Sequence, residues 1–148
     1  MSSAAVEVQD KVVGRIGRGL VVFVGVGIDD NADDADYIAE KILNLRIFPD
    51  PQGRFDKSSL DINAGLLIVS QFTLYANTRK GRRPSFSGAA SPEEARGSFQ
   101  LVVEQLRASG LRVATGCFGQ HMAVKLINQG PVTIWLDSKD RLLPRNEK

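Results

Sequence analysis

The sequence is poor in the residues from which most catalytic centres are assembled. It has one histidine, His121, and one cysteine, Cys117, in 148 residues. A Cys/His metal cluster or a multi-histidine site therefore cannot be built from it. A serine triad would have to use His121, and the nucleophile-elbow pattern G-x-S-x-G does not occur. "GRIGRG" lies between two apolar runs and not ahead of a helix, so it is not a dinucleotide fingerprint. These absences imply neither metal nor cofactor. His121 reads as a polar residue in a loop before a strand, and Cys117 as a small packed or half-exposed side chain. A single cysteine excludes an internal disulfide framework and suits a reducing cytoplasm. The longest apolar run, Leu20–Val24, is strand-length, far below the roughly 18 residues of a membrane span. The start "MSSAAVEVQD" has neither a basic flank nor a hydrophobic core, so it carries no export signal. An enzyme with these gaps must work by positioning and by backbone dipoles.

What is present has the make-up of an ordinary globular chain, 43% hydrophobic and 24% charged, and its length fits one domain over 1–148. Val6 and Val8 alternate with polar neighbours, and Asp10-Lys11 reads as a turn before a strand at Val12–Ile16. Leu20–Val26 reads as a buried strand. Asp29, Asp30 and Asn31 offer caps for a helix from about Ala32 to Leu45, with Ala35, Ile38, Ile42 and Leu45 on one face. Leu66–Leu74 is the strongest later strand. Ser91-Pro92-Glu93-Glu94 has capping-box spacing with proline at the first helical position, and Gly110 ends that second helix. Strands near Leu111–Thr115, Met122–Ile127 and Val132–Leu136 follow, then a charged tail from Lys139. Two long helices separated by several strands favour a mixed, largely antiparallel α/β sheet or barrel.

Three stretches depart from this plain background. "VSQFTLY", Val69–Tyr75, turns abruptly polar after a buried run, and from its pattern alone reads as a strand emerging into solvent. "TRKGRRPSF" packs Arg79, Lys80, Arg82 and Arg83 into one loop and follows them with Phe86. Such a loop can track a phosphate backbone and stack a base, or simply stay solvated. "NQGPVT" places Gly130-Pro131 where proline cannot join a sheet ladder, so the pair belongs at a turn, edge or bulge. Asn128 and Thr133 bracket it, and an X-Pro bond in a tight turn can be cis.

Together, "SQFTLYANTRKGRRPSFSGAA" and "NQGPVT" resemble the D-aminoacyl-tRNA deacylases, which release D-amino acids from mischarged tRNA. "GRIGRGLVVFVGV" and "DADYIAEKILNLRIF" are similar to the early strands and first helix of that family, so the resemblance runs from Ser3 to Asp137. It implies a homodimer of that fold in which Ser70, Gln71, Phe72 and Thr73 form one wall of the active site. It further implies that a cis Gly130-Pro131 enters the partner subunit's site, where its carbonyl oxygens hold the amino group and leave no space for an L side chain. Phe118 and Met122, in "CFGQHM", would pack on the terminal adenine of tRNA, and Arg79, Lys80, Arg82 and Arg83 would hold its backbone. The resemblance also implies a further strand, carrying an arginine that supports the Gly-Pro loop, ahead of Ser2-Ser3. Because Met1 stands where that strand should already have ended, the sequence is expected to lack it, which would leave a sheet edge exposed.

The implied reaction cleaves an activated ester, so modest catalysis suffices. Backbone N–H groups near Phe72 and Thr73 would stabilise the oxyanion. Thr73 would act as nucleophile, or the substrate's own 2′-hydroxyl would activate water oriented by Gln71 and Thr73. Glycine has no side chain to exclude, so glycyl-tRNA is expected to be cleaved too. The implied partner is aminoacylated tRNA, with no role for DNA or a membrane. Two readings from other classes stand beside this one. In a non-catalytic RNA-binding dimer Arg82 and Arg83 would matter while Thr73 and Gly130 would not. An inactive dimeric scaffold would have neither pocket nor turnover.

Overall fold

A computed structural model of the chain describes residues 1–144. Strands β1 (Ser3–Val8) and β2 (Lys11–Ile16) form a hairpin. Its turn is Gln9-Asp10, one residue earlier than expected, and both residues have positive φ, as a tight hairpin turn requires. β3 (Gly19–Val24) leads to α1 (Ala32–Asn44), whose first turn is closed by a reciprocal capping box between Asn31 and Asp34. A short ribbon, β4 (Phe48–Pro49) with β5 (Phe55–Lys57), and a one-turn helix α2 (Ser59–Ile62) follow. None of these three was expected from the sequence. Next come β6 (Gly65–Ser70), a 3₁₀ turn at Phe72–Tyr75, α3 (Pro92–Ala108), β7 (Val113–Thr115), β8 (Ala123–Ile127) and a second 3₁₀ turn at Ser138–Leu142.

The strands form two three-stranded sheets and the ribbon, and the sheets do not close into a barrel. Order β2-β1-β8 is antiparallel, but β3-β6-β7 is parallel throughout. The expectation of a largely antiparallel sheet is corrected here. The two long helices are crossovers, α1 between β3 and β6 and α3 between β6 and β7, as parallel pairing demands. The small ribbon and α2 lie between α1 and β6 and disguise that alternation in the sequence.

β6 is the centre of the molecule. Leu66, Leu67, Ile68 and Val69 are all buried, the continuous apolar run of a strand covered on both faces. Leu66 and Ile68 meet the helix layer at Ala39, Ile42, Phe99, Val103 and Leu106, whereas Leu67 and Val69 meet Ala4, Val6 and Ile16 of the antiparallel sheet. At the start of the β3–β6 pair, Gly19 approaches so closely that a Cβ there would lie 1.8 Å from the Gly65 carbonyl oxygen.

Two further expectations are corrected. The strand read as Leu66–Leu74 stops at Ser70, where the chain turns into the 3₁₀ segment. Val132–Leu136 is not a strand: no ladder partner lies beside it among the described residues, and Ile134 and Trp135 stand exposed. It lines a 750 Å³ groove together with β3 and α1. The charged tail read from Lys139 is partly docked, since Ser138 is buried and Arg141 Nη2 lies 3.4 Å from Asp34 Oδ1. The rest of that tail, 145–148, lies outside the described residues. No helix is long and apolar enough to cross a membrane.

Candidate active site

In a parallel sheet the loops leaving the carboxyl ends of adjacent strands gather at one place. Here β3 gives way to Gly25–Asp30, β6 to Gln71–Tyr75, and β7 to Gly116–Met122. Hydrogen bonds tie the ends together: Gln71 N–H donates to the Val24 carbonyl (2.8 Å) and Gly116 N–H to the Ile68 carbonyl (3.2 Å).

The expected wall Ser70, Gln71, Phe72 and Thr73 is at the middle of this cluster. Ser70 and Gln71 are half-buried, while Phe72 and Thr73 are exposed. The Gln71 side-chain amide donates to Thr73 Oγ1, which fixes both side chains and leaves the threonine proton free to be donated. An amide is no base, so this contact does not activate Thr73 as a nucleophile. The 3₁₀ turn begins at Phe72, and its opening bond runs from Leu74 N–H to the Gln71 carbonyl. The Phe72 and Thr73 N–H groups precede that bond and have no acceptor among the described residues. Two adjacent free donors beside a fixed amide and hydroxyl are suited to an oxyanion.

The Phe72 ring meets Phe86 edge-on, with centroids 5.1 Å apart at 70°. This contact anchors the basic loop beside the wall. The loop's base is closed by paired bonds between Asn77 and Ser85 (2.7 and 2.8 Å). Arg79, Lys80, Arg82 and Arg83 are all exposed and none pairs with a carboxylate among the described residues. Their field is therefore unspent.

Phe118 and Met122 share the turn after β7 but face different layers. Phe118 packs with the helices, its ring 6.0 Å from Phe99 and 4.8 Å from the Arg96 guanidinium. Met122 packs with the antiparallel sheet. Both are half-buried. Gly130-Pro131 stands apart, exposed at a loop tip, with a cis peptide bond and Gly130 at φ +130°. Asn128 braces that tip: its Nδ2 donates to Thr133 Oγ1 (3.1 Å) and its Oδ1 accepts from Val132 N–H (3.4 Å). No hydrogen bond joins Gly130 or Pro131 to Ser70–Thr73 within one chain.

Sequence reasoning overlooked the support behind the wall. Tyr75 Oη is so near Gly27 that a Cβ there would lie 2.7 Å from it, and a Cβ at Gly25 would press on Gln71, Leu74 and Tyr75. Burial, then the carboxylates of Asp30, Asp137 and Asp34, push the Tyr75 phenol up to about 12, so it is a hydrogen-bond donor at every working pH. The only signal was the small-residue repeat "GVG" after an apolar strand. Arg96 was overlooked because one cation on a helix has no pattern.

The sequence model of a family described as D-Tyr-tRNA(Tyr) deacylase matches residues 1–137. A D-aminoacyl-tRNA deacylase from Thermosipho africanus is 55% identical over 139 residues, 94% of this chain and 93% of the relative. One from a Roseiflexus species is 53% identical over 147 residues, 99% and 95% of the two chains. A solved structure named c-Myc DNA Unwinding Element Binding Protein superposes with a TM-score of 0.86 at 38% identity, covering 92% of this chain and 93% of that one. A probable eukaryotic D-amino acid tRNA deacylase shares the fold at 19% identity and a TM-score of 0.74, over 84% and 88% of the chains.

Proposed function

Because the chain belongs to the D-Tyr-tRNA(Tyr) deacylase family, we propose that it hydrolyses the ester joining a D-amino acid to the terminal ribose of tRNA, as a chirality-proofreading step in translation. Free amino acid and free tRNA are the products, and the cytoplasm, where tRNA is charged, is the place of work. The observation that carries the reading is the Gln71–Thr73 turn. Two free N–H groups and a locked amide–hydroxyl pair sit there at the end of the buried strand β6.

The ester carbonyl lies over the Phe72 and Thr73 N–H groups, which take up the developing oxyanion. Water attacks, positioned by Gln71 and Thr73, and its proton passes through the neighbouring 2′-hydroxyl of the substrate to the departing ribose oxygen. Thr73 is a poor nucleophile because its oxygen already accepts a hydrogen bond and no base adjoins it. Gly130-Pro131 of a second copy closes the pocket, its carbonyl oxygens holding the substrate amino group and its bulk excluding an L side chain. Glycyl-tRNA is cleaved as well. The homodimer is supported by the exposed apolar side chains Ile127, Ile134 and Trp135 beside that loop. Phe118 and Met122 receive the adenine. Arg79, Lys80, Arg82 and Arg83 hold the tRNA backbone, with no call for DNA or a membrane surface.

The test is hydrolysis of D-Tyr-tRNA and L-Tyr-tRNA side by side, with Thr73→Ala and Gln71→Ala variants. Selective loss of the D ester is expected, reduced roughly 10²-fold by either substitution, as for loss of one positioning or oxyanion contact. A fall nearer 10⁶-fold for Thr73→Ala alone would instead mark it as the nucleophile. The four unpaired cations also fit a non-catalytic RNA-binding dimer, in which neither substitution would change anything and neither ester would be cleaved.

A further inference from the structure

A second cleft, of about 510 Å³, runs between α3 and the turn after β7. One wall is Thr115, Gly116 and Phe118, and the other is a stripe of α3 bearing Glu93, Arg96, Gln100, Val103 and Arg107. Those helix positions recur at three- and four-residue steps, so they share one face. Nothing in the oxyanion site uses Arg96 or Arg107, both exposed and without a carboxylate partner among the described residues. Arg96 is nonetheless held in place, its guanidinium 4.8 Å from the centre of the Phe118 ring.

We infer that this cleft is the track for the single-stranded nucleotides preceding the terminal adenosine, with Arg96 and Arg107 neutralising their phosphates. The inference rests on the deacylase reading and extends it. If the adenine lies against Phe118 and its esterified ribose reaches the Gln71–Thr73 turn, the remainder of the strand must leave on the other side of Phe118. The second cleft is lined by Phe118 and by none of Ser70–Thr73. A phosphate attached to a nucleoside on that ring comes within reach of Arg96, whose planar fork suits phosphate oxygens. Glu93 repels phosphate at the N-terminal end of the stripe, so the strand runs the opposite way, toward Arg107. Arg107 lies about 16 Å further along the helix axis, a length that accommodates more than one nucleotide. The basic loop sits on the Phe72 side of the site, so the two cationic regions would grip different parts of tRNA.

The experiment compares D-Tyr-tRNA with D-tyrosyl-adenosine, which has the same ester and base but no phosphate, using wild type, Arg96→Gln, Arg107→Gln and the double variant. In parallel, the affinity of each protein for a short single-stranded RNA ending in cytidine-cytidine-adenosine is measured against salt by fluorescence anisotropy. The variants should raise KM for D-Tyr-tRNA several-fold with kcat retained, and leave D-tyrosyl-adenosine unchanged. The slope of log affinity on log salt for the RNA should fall by about 0.7 per arginine removed. Unaltered RNA affinity and salt slope in the double variant would overturn the inference, whether or not either ester is cleaved. So would equal impairment on both esters, which would make Arg96 a support for Phe118 only. Failure of wild type to cleave either ester, with arginine-dependent RNA binding intact, would count against the deacylase reading and leave the track standing.

Discussion

At the residue scale, the site depends on what certain positions omit. Gly130 sits at φ +130°, and a Cβ there would lie 2.8 Å from Val132 Cγ2. Gly130→Ala should therefore displace the loop tip at a cost of about 1–3 kcal/mol. Its expected signature is slower hydrolysis of D-Tyr-tRNA with weaker discrimination against L-Tyr-tRNA, and an unfolding midpoint lowered by no more than that cost. Tyr75 makes a pH prediction. The folded chain keeps the phenol proton to about 12, whereas the unfolded chain releases it near 10.0. Between those values the folded state binds more protons, so stability falls as pH rises. Urea midpoints between pH 9 and 11.5 should fall more steeply for wild type than for Tyr75→Phe. Asp34 acts at the acid end. Burial pushes its carboxyl up, but hydrogen bonds from the Asn31 backbone, Ser138 and Arg141, with the Arg141 charge, together hold it below the usual range. Its contribution is complete above the ordinary carboxylate pKa and is lost as pH falls through the depressed one. Asp34→Asn should accordingly flatten the acid limb of the stability profile.

At the scale of elements, the sequence was legible where local signals act alone. Helices α1 and α3 lie within a residue or two of their expected bounds, because Asn31 and Ser91 cap them and Gly110, at φ +87°, ends the second. The direction of strand pairing was not legible, since it depends on contacts distant in sequence. Gly19 and Gly65 show why: each is unremarkable alone, yet their backbones meet where β3 enters alongside β6. Gly19→Ala would drive a Cβ into the Gly65 carbonyl. It should destabilise the fold by about 3 kcal/mol or more, visible as a lowered denaturant midpoint with both long helices intact in each sequence. Ser70–Thr73 stood out by its abrupt polarity, but its proposed role came only from the family resemblance, and its turn geometry was not legible. A 3₁₀ turn and a strand end share the same residue types, and only the turn frees the Phe72 and Thr73 N–H groups. Val132–Leu136 reads as a strand because its side chains suit one, although a strand also needs a neighbour.

At the scale of the whole molecule, the Ser70–Thr73 turn and the Gly130-Pro131 tip share no hydrogen bond within one chain, so the proposed shared site requires two copies. Exposed Ile127, Ile134 and Trp135 beside the tip should become covered on assembly. Sedimentation is expected to give twice the chain mass. Trp135 fluorescence should shift to the red on dilution, and Ile134→Lys should yield monomers that fold but do not turn over. The most direct test of a site shared between subunits mixes two impaired variants, Thr73→Ala and Gly130→Ala, after denaturation and refolding together. In a two-fold dimer half of the refolded molecules are mixed, and each has one site with both native parts. D-selective hydrolysis should therefore return to about a quarter of the wild-type level. If the mixture stays no more active than its two components measured separately, wall and tip do not meet across the dimer, and the account of D selectivity is wrong.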